Sequence, residues 1–98
     1  MNDRLSGAIG LAMKAGAVVS GDFAAEKTLN AGKARLMLLD STCSDATRDR
    51  YERLCMRRKV PVLYVAELGE RIGRPGRKIA AVTNESFQSM ILRASGQD

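Results

Sequence analysis

Apolar residues recur at helical spacing in two segments, one near each end of the chain. The positions that share one helical face are Leu5, Ile9, Ala12 and Met13 in the first segment and Phe87, Met90, Ile91 and Ala94 in the second. An apolar stripe of this period is typical of a helix that packs against a core. The pattern therefore predicts amphipathic helices over residues 3–15 and 85–94, and Gly16 ends the first of them.

Between these two helices, short apolar runs alternate with segments of helical character. The runs cover residues 18–19, 35–40, 62–65 and 79–82, and continuous apolar runs of this length favour strands that are covered on both faces. Further helices are predicted over residues 22–31, 44–59 and 67–72. The resulting alternation of helices and strands implies, by itself, an α/β fold with a mostly parallel sheet and helices on both faces, which is a three-layer sandwich.

Length and composition fit one small domain. The chain has 98 residues, of which 45% are hydrophobic, so a single domain over residues 1–98 can bury about two-thirds of the unfolded surface. No apolar run is long enough to span a membrane, and the chain starts with the polar residues Met1-Asn2-Asp3-Arg4. We therefore expect a cytoplasmic protein with no membrane partner.

The residues that usually carry enzymatic chemistry are scarce. Histidine is absent, and cysteine occurs only at Cys43 and Cys55. This composition argues against zinc fingers, histidine acid–base catalysis and cysteine–histidine nucleophiles, and it predicts two free thiols. The sequence also lacks a phosphate-loop motif and a carboxylate pair at catalytic spacing. We expect no enzymatic activity, no cofactor and no metal ion.

The charge balance indicates an anionic partner. Sixteen Lys and Arg residues against eleven Asp and Glu residues give a formal net charge of +5. Nucleic acid is the first candidate for the partner of such a basic domain.

Residues 18–33 combine a strand end, a glycine corner, a short helix and a basic exit. Ser20 and Gly21 break the strand, Asp22 starts the helix, Lys27 lies about one turn further on, and Lys33 follows the helix. A strand that passes directly into a helix N-terminus presents unpaired N–H groups and a partial positive charge, which suit a phosphate. The segment also fits an ordinary corner with nothing bound, in which Asp22 compensates the helix dipole.

A second basic segment lies before the last predicted strand. Arg71, Arg74, Arg77 and Lys78 fall within eight residues around a turn rich in glycine and proline. Guanidinium groups on such a loop can follow a phosphate backbone. A solvated surface turn is the alternative.

Aromatic residues are few, with two Phe and two Tyr in the chain. None lies among the basic residues of the second segment, which disfavours base stacking on a sheet platform. Phe23 is the exception, because on the first turn of its helix it could lie over a nucleobase. The usual burial of phenylalanine nevertheless favours an inward-facing core residue at this position.

Several features follow one another in a characteristic order and spacing. They are the Ser20-Gly21 corner, Lys27 six residues after that glycine, Gly32 five residues later, the strand over residues 33–39, the strand entry Val60-Pro61-Val62 and the segment Leu68-Gly69-x-x-Ile72-Gly73. Together they resemble the kink-turn RNA-binding family of ribosomal proteins, and most closely its small bacterial YlxQ-like members. The resemblance covers about residues 5–92.

The resemblance implies a three-layer α/β/α sandwich with a four-stranded mixed sheet. It also implies RNA binding at the strand-to-helix corner and at the loop before the last strand. In the archaeal members the corner reads Gly-x-Asn-Glu-x-x-Lys, and the Asn and Glu contact the sheared G·A pairs of a kink-turn. Gly21 and Lys27 match this motif, whereas Phe23 and Ala24 replace the Asn and Glu. Because apolar side chains cannot form those hydrogen bonds, the departure counts against sequence-specific kink-turn recognition.

We therefore expect a non-catalytic RNA-binding protein whose partner is a structured RNA, kink-turn-like or ribosomal, with ribosomal proteins as further candidate partners. The predicted RNA-binding residues are Ser20, Gly21, Asp22, Phe23, Lys27, Lys33, Arg74, Arg77 and Lys78. Two alternatives stay open from the sequence. One is a module whose basic loop docks an acidic, translation-related protein, and the other is a domain that binds a phosphorylated small molecule at the glycine corner.

Overall fold

The computed structural model describes residues 3–96 and contains the predicted order of helices and strands. The elements are α1 (Asp3–Lys14), β1 (Val18–Ser20), α2 (Asp22–Asn30), β2 (Leu36–Asp40), α3 (Asp45–Arg58), β3 (Val62–Val65), α4 (Leu68–Arg71), β4 (Ile79–Val82) and α5 (Glu85–Ala94). None of the helices within residues 3–96 is long and apolar enough to cross a membrane.

The four strands form one mixed sheet in the order β1-β4-β2-β3. The pair β2/β3 is parallel, whereas β4 is antiparallel to both of its neighbours, β1 and β2. The mixed sheet implied by the family resemblance is therefore confirmed. The mostly parallel sheet that the alternation of helices and strands implied is wrong, because two of the three strand pairs are antiparallel.

β4 runs in the direction opposite to the other three strands. A parallel crossover must return the chain to the end of the sheet at which the previous strand began. α2 and α3, with 9 and 14 residues, do so between β1, β2 and β3. The segment that contains the four-residue α4 does not return in this way: the chain stays at the same end of the sheet and enters β4 in the opposite direction. The loop before β4 consequently lies at the same end of the sheet as the β1–α2 corner.

Helices cover both faces of the sheet, which makes the fold a three-layer α/β/α sandwich. One core lies between the sheet and α1, α4 and α5, and includes Ile9, Leu38, Leu68 and Ile91. The other core lies between the sheet and α2 and α3, and includes Leu29, Met37 and Tyr51. All five residues of β2 are buried, as its uninterrupted apolar run predicts.

Both cysteines are buried and free, as the sequence predicted. Burial raises the pKa of the Cys55 thiol to about 11. Cys55 is therefore an apolar core residue and is protonated at neutral pH.

Candidate nucleic-acid interface

The β1–α2 corner depends on Gly21. Its backbone has φ 102° and ψ 147°, a conformation that side chains disfavour. The Gly21 N–H donates to the carbonyl oxygen of Ile79 at 2.9 Å, which attaches the corner to β4. Gly21 occupies the N-cap position of α2, and no side chain caps the helix there. The N-terminal amides of α2 are therefore not covered by a capping side chain.

Arg77 joins the loop before β4 to this corner. Its Nη1 donates to the carbonyl oxygen of Ser20 at 3.1 Å. The guanidinium lies so close to Gly21 that a Cβ there would collide with it. This single contact uses one of the five guanidinium N–H donors, so the others stay available for an anion. The two segments that the sequence singled out thus lie side by side.

Lys78 brings a third segment into the site. Its Nζ donates to Thr42 Oγ1 at 3.0 Å and lies 4.0 Å from Asp40 Oδ1. Thr42 belongs to the turn between β2 and α3, so this turn borders the same groove as the corner and the basic loop. The groove, here called the corner groove, has a volume of about 390 Å³. Its lining residues are Gly21, Asp22, Thr42, Cys43, Ser44, Thr47, Gly76, Arg77, Lys78 and Ile79.

Asp22 is held by α3. Its Oδ1 accepts hydrogen bonds from Tyr51 Oη at 2.5 Å and from Arg50 Nη2 at 2.6 Å. Arg50 also pairs with Glu26, one turn further along α2. The hydrogen bond from Tyr51 and the nearby Arg50 hold the pKa of Asp22 below its usual value, against the opposing effect of burial. Asp22 is therefore ionised, and it shares the charge of Arg50 with Glu26.

Asp40 is buried at the end of β2 and accepts three hydrogen bonds. The donors are the Thr42 N–H at 2.8 Å, the Thr42 hydroxyl at 2.5 Å and the Leu68 N–H at 3.0 Å. Burial by itself raises the pKa of Asp40, but these hydrogen bonds and the charge of Lys78 together hold the pKa below its usual value. Asp22 and Asp40 thus both have cationic and hydrogen-bonding partners within the protein.

Phe23 points into solvent, so the inward orientation favoured from the sequence is wrong. The residue is 83% exposed. The cause is the geometry of α2, whose buried face is formed by Ala25 and Leu29. Phe23 lies on the opposite, solvent-facing side, which it shares with the exposed Lys27 four residues later.

Two predicted RNA-binding residues remain, Arg74 and Lys33, and they lie at opposite ends of the sheet. Arg74 is exposed in the loop before β4, and its carbonyl oxygen accepts from the Arg77 N–H at 3.1 Å, which closes a tight turn. Lys33 lies at the opposite end of the sheet, since Arg35 N bonds to Val82 O at the far end of β4. The structure therefore brings the Arg74 loop to the corner groove and does not bring Lys33 there.

The hydroxyl groups of the β2–α3 turn were missed as site residues. Ser44 caps α3 by accepting from Thr47 N at 3.1 Å, which agrees with its sequence context as a helix start. The same turn also borders the corner groove through Thr42. The sequence could have indicated these hydroxyl groups, because their turn follows the carboxyl end of a buried strand. Binding residues collect at such strand ends in α/β sheets.

Comparison with known proteins agrees with this architecture. A 34% identical relative over 87 residues, covering 86% of this chain and 87% of its own length, is the RNA-binding protein YlxQ of Bacillus subtilis (strain 168). Among solved structures, a protein of unknown function from Bacillus halodurans C is 25% identical, with a TM-score of 0.87 over 96% of this chain and 97% of that one. A Giardia lamblia 15.5kD RNA binding protein shares the fold at 19% identity, with a TM-score of 0.75 over 95% of this chain and 82% of that one.

The match to one protein family covers nearly all of the described residues. The sequence pattern of one family matches residues 3–93, a range that includes every strand and helix from α1 to most of α5. This range also contains both segments that form the corner groove. The chain therefore belongs to the ribosomal protein L7Ae/L30e/S12e/Gadd45 family.

Proposed function

We propose that this protein binds structured RNA at the corner groove and acts without catalysis. The observation that carries the proposal is the contact between Arg77 and Ser20, which sets a basic loop against the uncapped N-terminus of α2. Together these groups offer backbone N–H donors and guanidinium donors to one phosphate-sized region. Membership of the family and the RNA-binding YlxQ relative support the same partner class.

Each basic residue has a separate task in this proposal. Arg77 and Arg74 contact successive phosphates from the loop, and Lys27 contacts a further phosphate from the exposed face of α2. Lys78 is paired with Asp40 and Thr42, so it holds the β2–α3 turn against the loop and adds less net charge. The RNA backbone thus runs across the corner groove, from α2 to the loop.

The preferred RNA in this proposal is kink-turn-like or ribosomal, and the protein acts in the cytoplasm. A sharply bent backbone brings several phosphates close together, which matches cations held on two adjacent segments rather than along one face. Ribosomal proteins are candidate partners only through a shared RNA. If three to five phosphates are contacted, the logarithm of the association constant falls with the logarithm of salt concentration with a slope of about −2 to −4.

Titration of a fluorescent kink-turn RNA and a matched straight duplex, at several salt concentrations, tests the proposal. Arg77→Ala and Lys27→Ala are expected to weaken binding to many RNAs alike and to make the salt slope shallower by about 1. Lys14→Ala is the matched control, because this exposed residue ends α1 at the opposite end of the sheet. Lys33→Ala is expected to behave like this control.

The outcomes separate the candidate functions. Tighter binding of the kinked RNA supports the kink-turn role, and equal binding of both RNAs supports RNA binding without that preference. Absence of binding to either RNA contradicts the proposal and favours an acidic protein partner. RNA binding that does not depend on salt contradicts the proposed phosphate contacts.

A further inference from the structure

The most exposed large hydrophobic side chain of the described residues lies beside the corner groove. Phe23 is 83% exposed, and it is the second residue of α2. Local helix formation does not require it, because alanine and many polar residues favour helices more than phenylalanine does. Core packing does not require it either, since Ala25 and Leu29 form the buried face of α2.

Two cations lie near Phe23, and the neighbouring carboxylates of Asp22 and Glu26 are both paired with Arg50. Lys27 lies one turn away on the same face, with a Cβ separation of about 5–6 Å expected at this spacing. Gly21 and the guanidinium of Arg77 lie on the N-terminal side. An aromatic anchor in a protein–protein interface is usually one of a cluster of well-packed contacts near the centre of that interface. A ring flanked by cations instead matches the way proteins hold single-stranded nucleotides.

The backbone immediately before Phe23 is fixed by two hydrogen bonds to other elements. Tyr51 Oη donates to the main-chain carbonyl of Asp22 at 3.0 Å as well as to its carboxylate. The N–H of Gly21 donates to Ile79 at 2.9 Å. Only the side-chain torsions of Phe23 therefore stay free, and binding to its ring loses little conformational freedom.

We propose that Phe23 is a stacking platform for an unpaired nucleobase, next to the phosphates that Lys27 and Arg77 contact. This inference rests on the RNA binding proposed above, and it names the RNA class: a structured RNA with one base outside the helical stack. Phe23 and the neighbouring Ala24 carry no side-chain hydrogen-bonding group, so this contact reads the presence of the unpaired base and tolerates changes in its identity.

Two RNAs that differ in one feature test the inference. The first is a stem with a single unpaired purine, and the second is the same stem with that purine paired. The wild-type protein is expected to bind the first RNA more tightly. Phe23→Ala is expected to weaken binding to the first RNA by about 5- to 100-fold and to leave binding to the second RNA and the salt slope unchanged. Phe23→Trp is expected to retain the tighter binding, whereas Phe23→Leu is not.

A fluorescent base reports the stacking directly. With 2-aminopurine at the unpaired position, the wild-type protein is expected to change the fluorescence through stacking, and Phe23→Ala is expected to abolish this change. Leu11→Ala is the matched control, because Leu11 is 52% exposed on α1, away from the corner groove. Melting temperatures should stay close to that of the wild type, since both side chains are exposed.

Three results would overturn the inference. Phe23→Ala could bind the first RNA as tightly as the wild type does, it could lose affinity equally for both RNAs, or Phe23→Leu could rescue binding as well as Phe23→Trp. In each of these cases RNA binding itself would survive. If the wild-type protein binds neither of these RNAs but still binds the kink-turn RNA, the stacking role fails alone. If it binds none of the three RNAs, the proposed function fails as well.

Discussion

Replacement of Tyr51 by phenylalanine tests how the corner is held together. Tyr51 is fully buried, and its hydroxyl donates to two oxygens of Asp22, the carboxylate Oδ1 at 2.5 Å and the carbonyl at 3.0 Å. The guanidinium of Arg50 lies 4.6 Å from the centre of the Tyr51 ring. Tyr51→Phe keeps the ring and its packing and removes only the donor.

The expected cost follows from the kind of hydrogen bond that is lost. A hydrogen bond to a charged group contributes about 1.5–3 kcal/mol. The side chain of Asp22 is 59% exposed and keeps its partner Arg50, so water and the guanidinium compensate part of the loss. We expect Tyr51→Phe to lower the free energy of unfolding by about 1–2 kcal/mol. For a domain of this size, the melting temperature then falls by about 5–10 °C.

The effect depends on pH with a definite sign. The hydrogen bond from Tyr51 is the largest cause that lowers the pKa of Asp22 in the folded protein. A carboxyl group whose pKa is lower in the folded state stabilises the fold above its unfolded pKa, which is about 3.9, and this stability is lost as pH falls through the folded pKa. The difference in stability between the wild type and Tyr51→Phe should therefore be largest at pH 5–7 and shrink below about pH 4.

Urea unfolding followed by circular dichroism, from pH 3 to pH 7, measures this difference. Tyr64→Phe is the matched control, because Tyr64 also donates to a carboxylate, that of Glu52, but on the surface. We expect Tyr64→Phe to lower the free energy of unfolding by less than about 0.5 kcal/mol. The reasoning is refuted if both variants lose the same free energy of unfolding. It is also refuted if the difference in stability between the wild type and Tyr51→Phe is as large at pH 3 as at pH 7.

Three further predictions concern the basic loop, the buried carboxylate and the specificity of the corner. Gly69→Ala should destabilise the fold by about 1–3 kcal/mol and weaken RNA binding, because its Cβ would lie 2.7 Å from the Arg74 carbonyl oxygen and displace the loop. Asp40→Asn should lower the free energy of unfolding in urea by about 2 kcal/mol, because an amide cannot satisfy the buried Leu68 N–H together with both Thr42 donors. The double change Phe23→Asn and Ala24→Glu should raise the preference for kink-turn RNA over a straight duplex by about tenfold or more, because it restores side chains that can read base edges.

Each of these predictions has its own check. Gly7→Ala is the control for Gly69→Ala, because a Cβ at Gly7 meets no described atom within 4 Å; it should stabilise α1 by about 0.5–1 kcal/mol. Unchanged urea midpoints for Asp40→Asn would show that its three hydrogen bonds contribute little. An unaltered RNA preference in the double variant would mean that the RNA does not meet α2 at its first turn.

The sequence by itself determined the order and the approximate bounds of the elements, and the burial of β2. The apolar run before Asp40 predicted a strand covered on both faces, and all five residues of β2 are buried. The helix predicted over residues 44–59 agrees with α3, which Ser44 caps by accepting from the N–H of Thr47. These features are local, since they depend on residue spacing and on groups a few positions apart.

Tertiary structure decided how these elements form a site. Spacing along the chain reports which segments are buried, but it does not report which strands pair or that β4 runs antiparallel to its neighbours. Only that direction brings Arg77 to Ser20, at the end of the sheet opposite to Lys33. The exposure of Phe23 and the pairing of Asp22 with Tyr51 have the same origin. Both depend on how α2 lies against the sheet and α3, and contacts between residues far apart in the chain leave no periodic trace in the sequence.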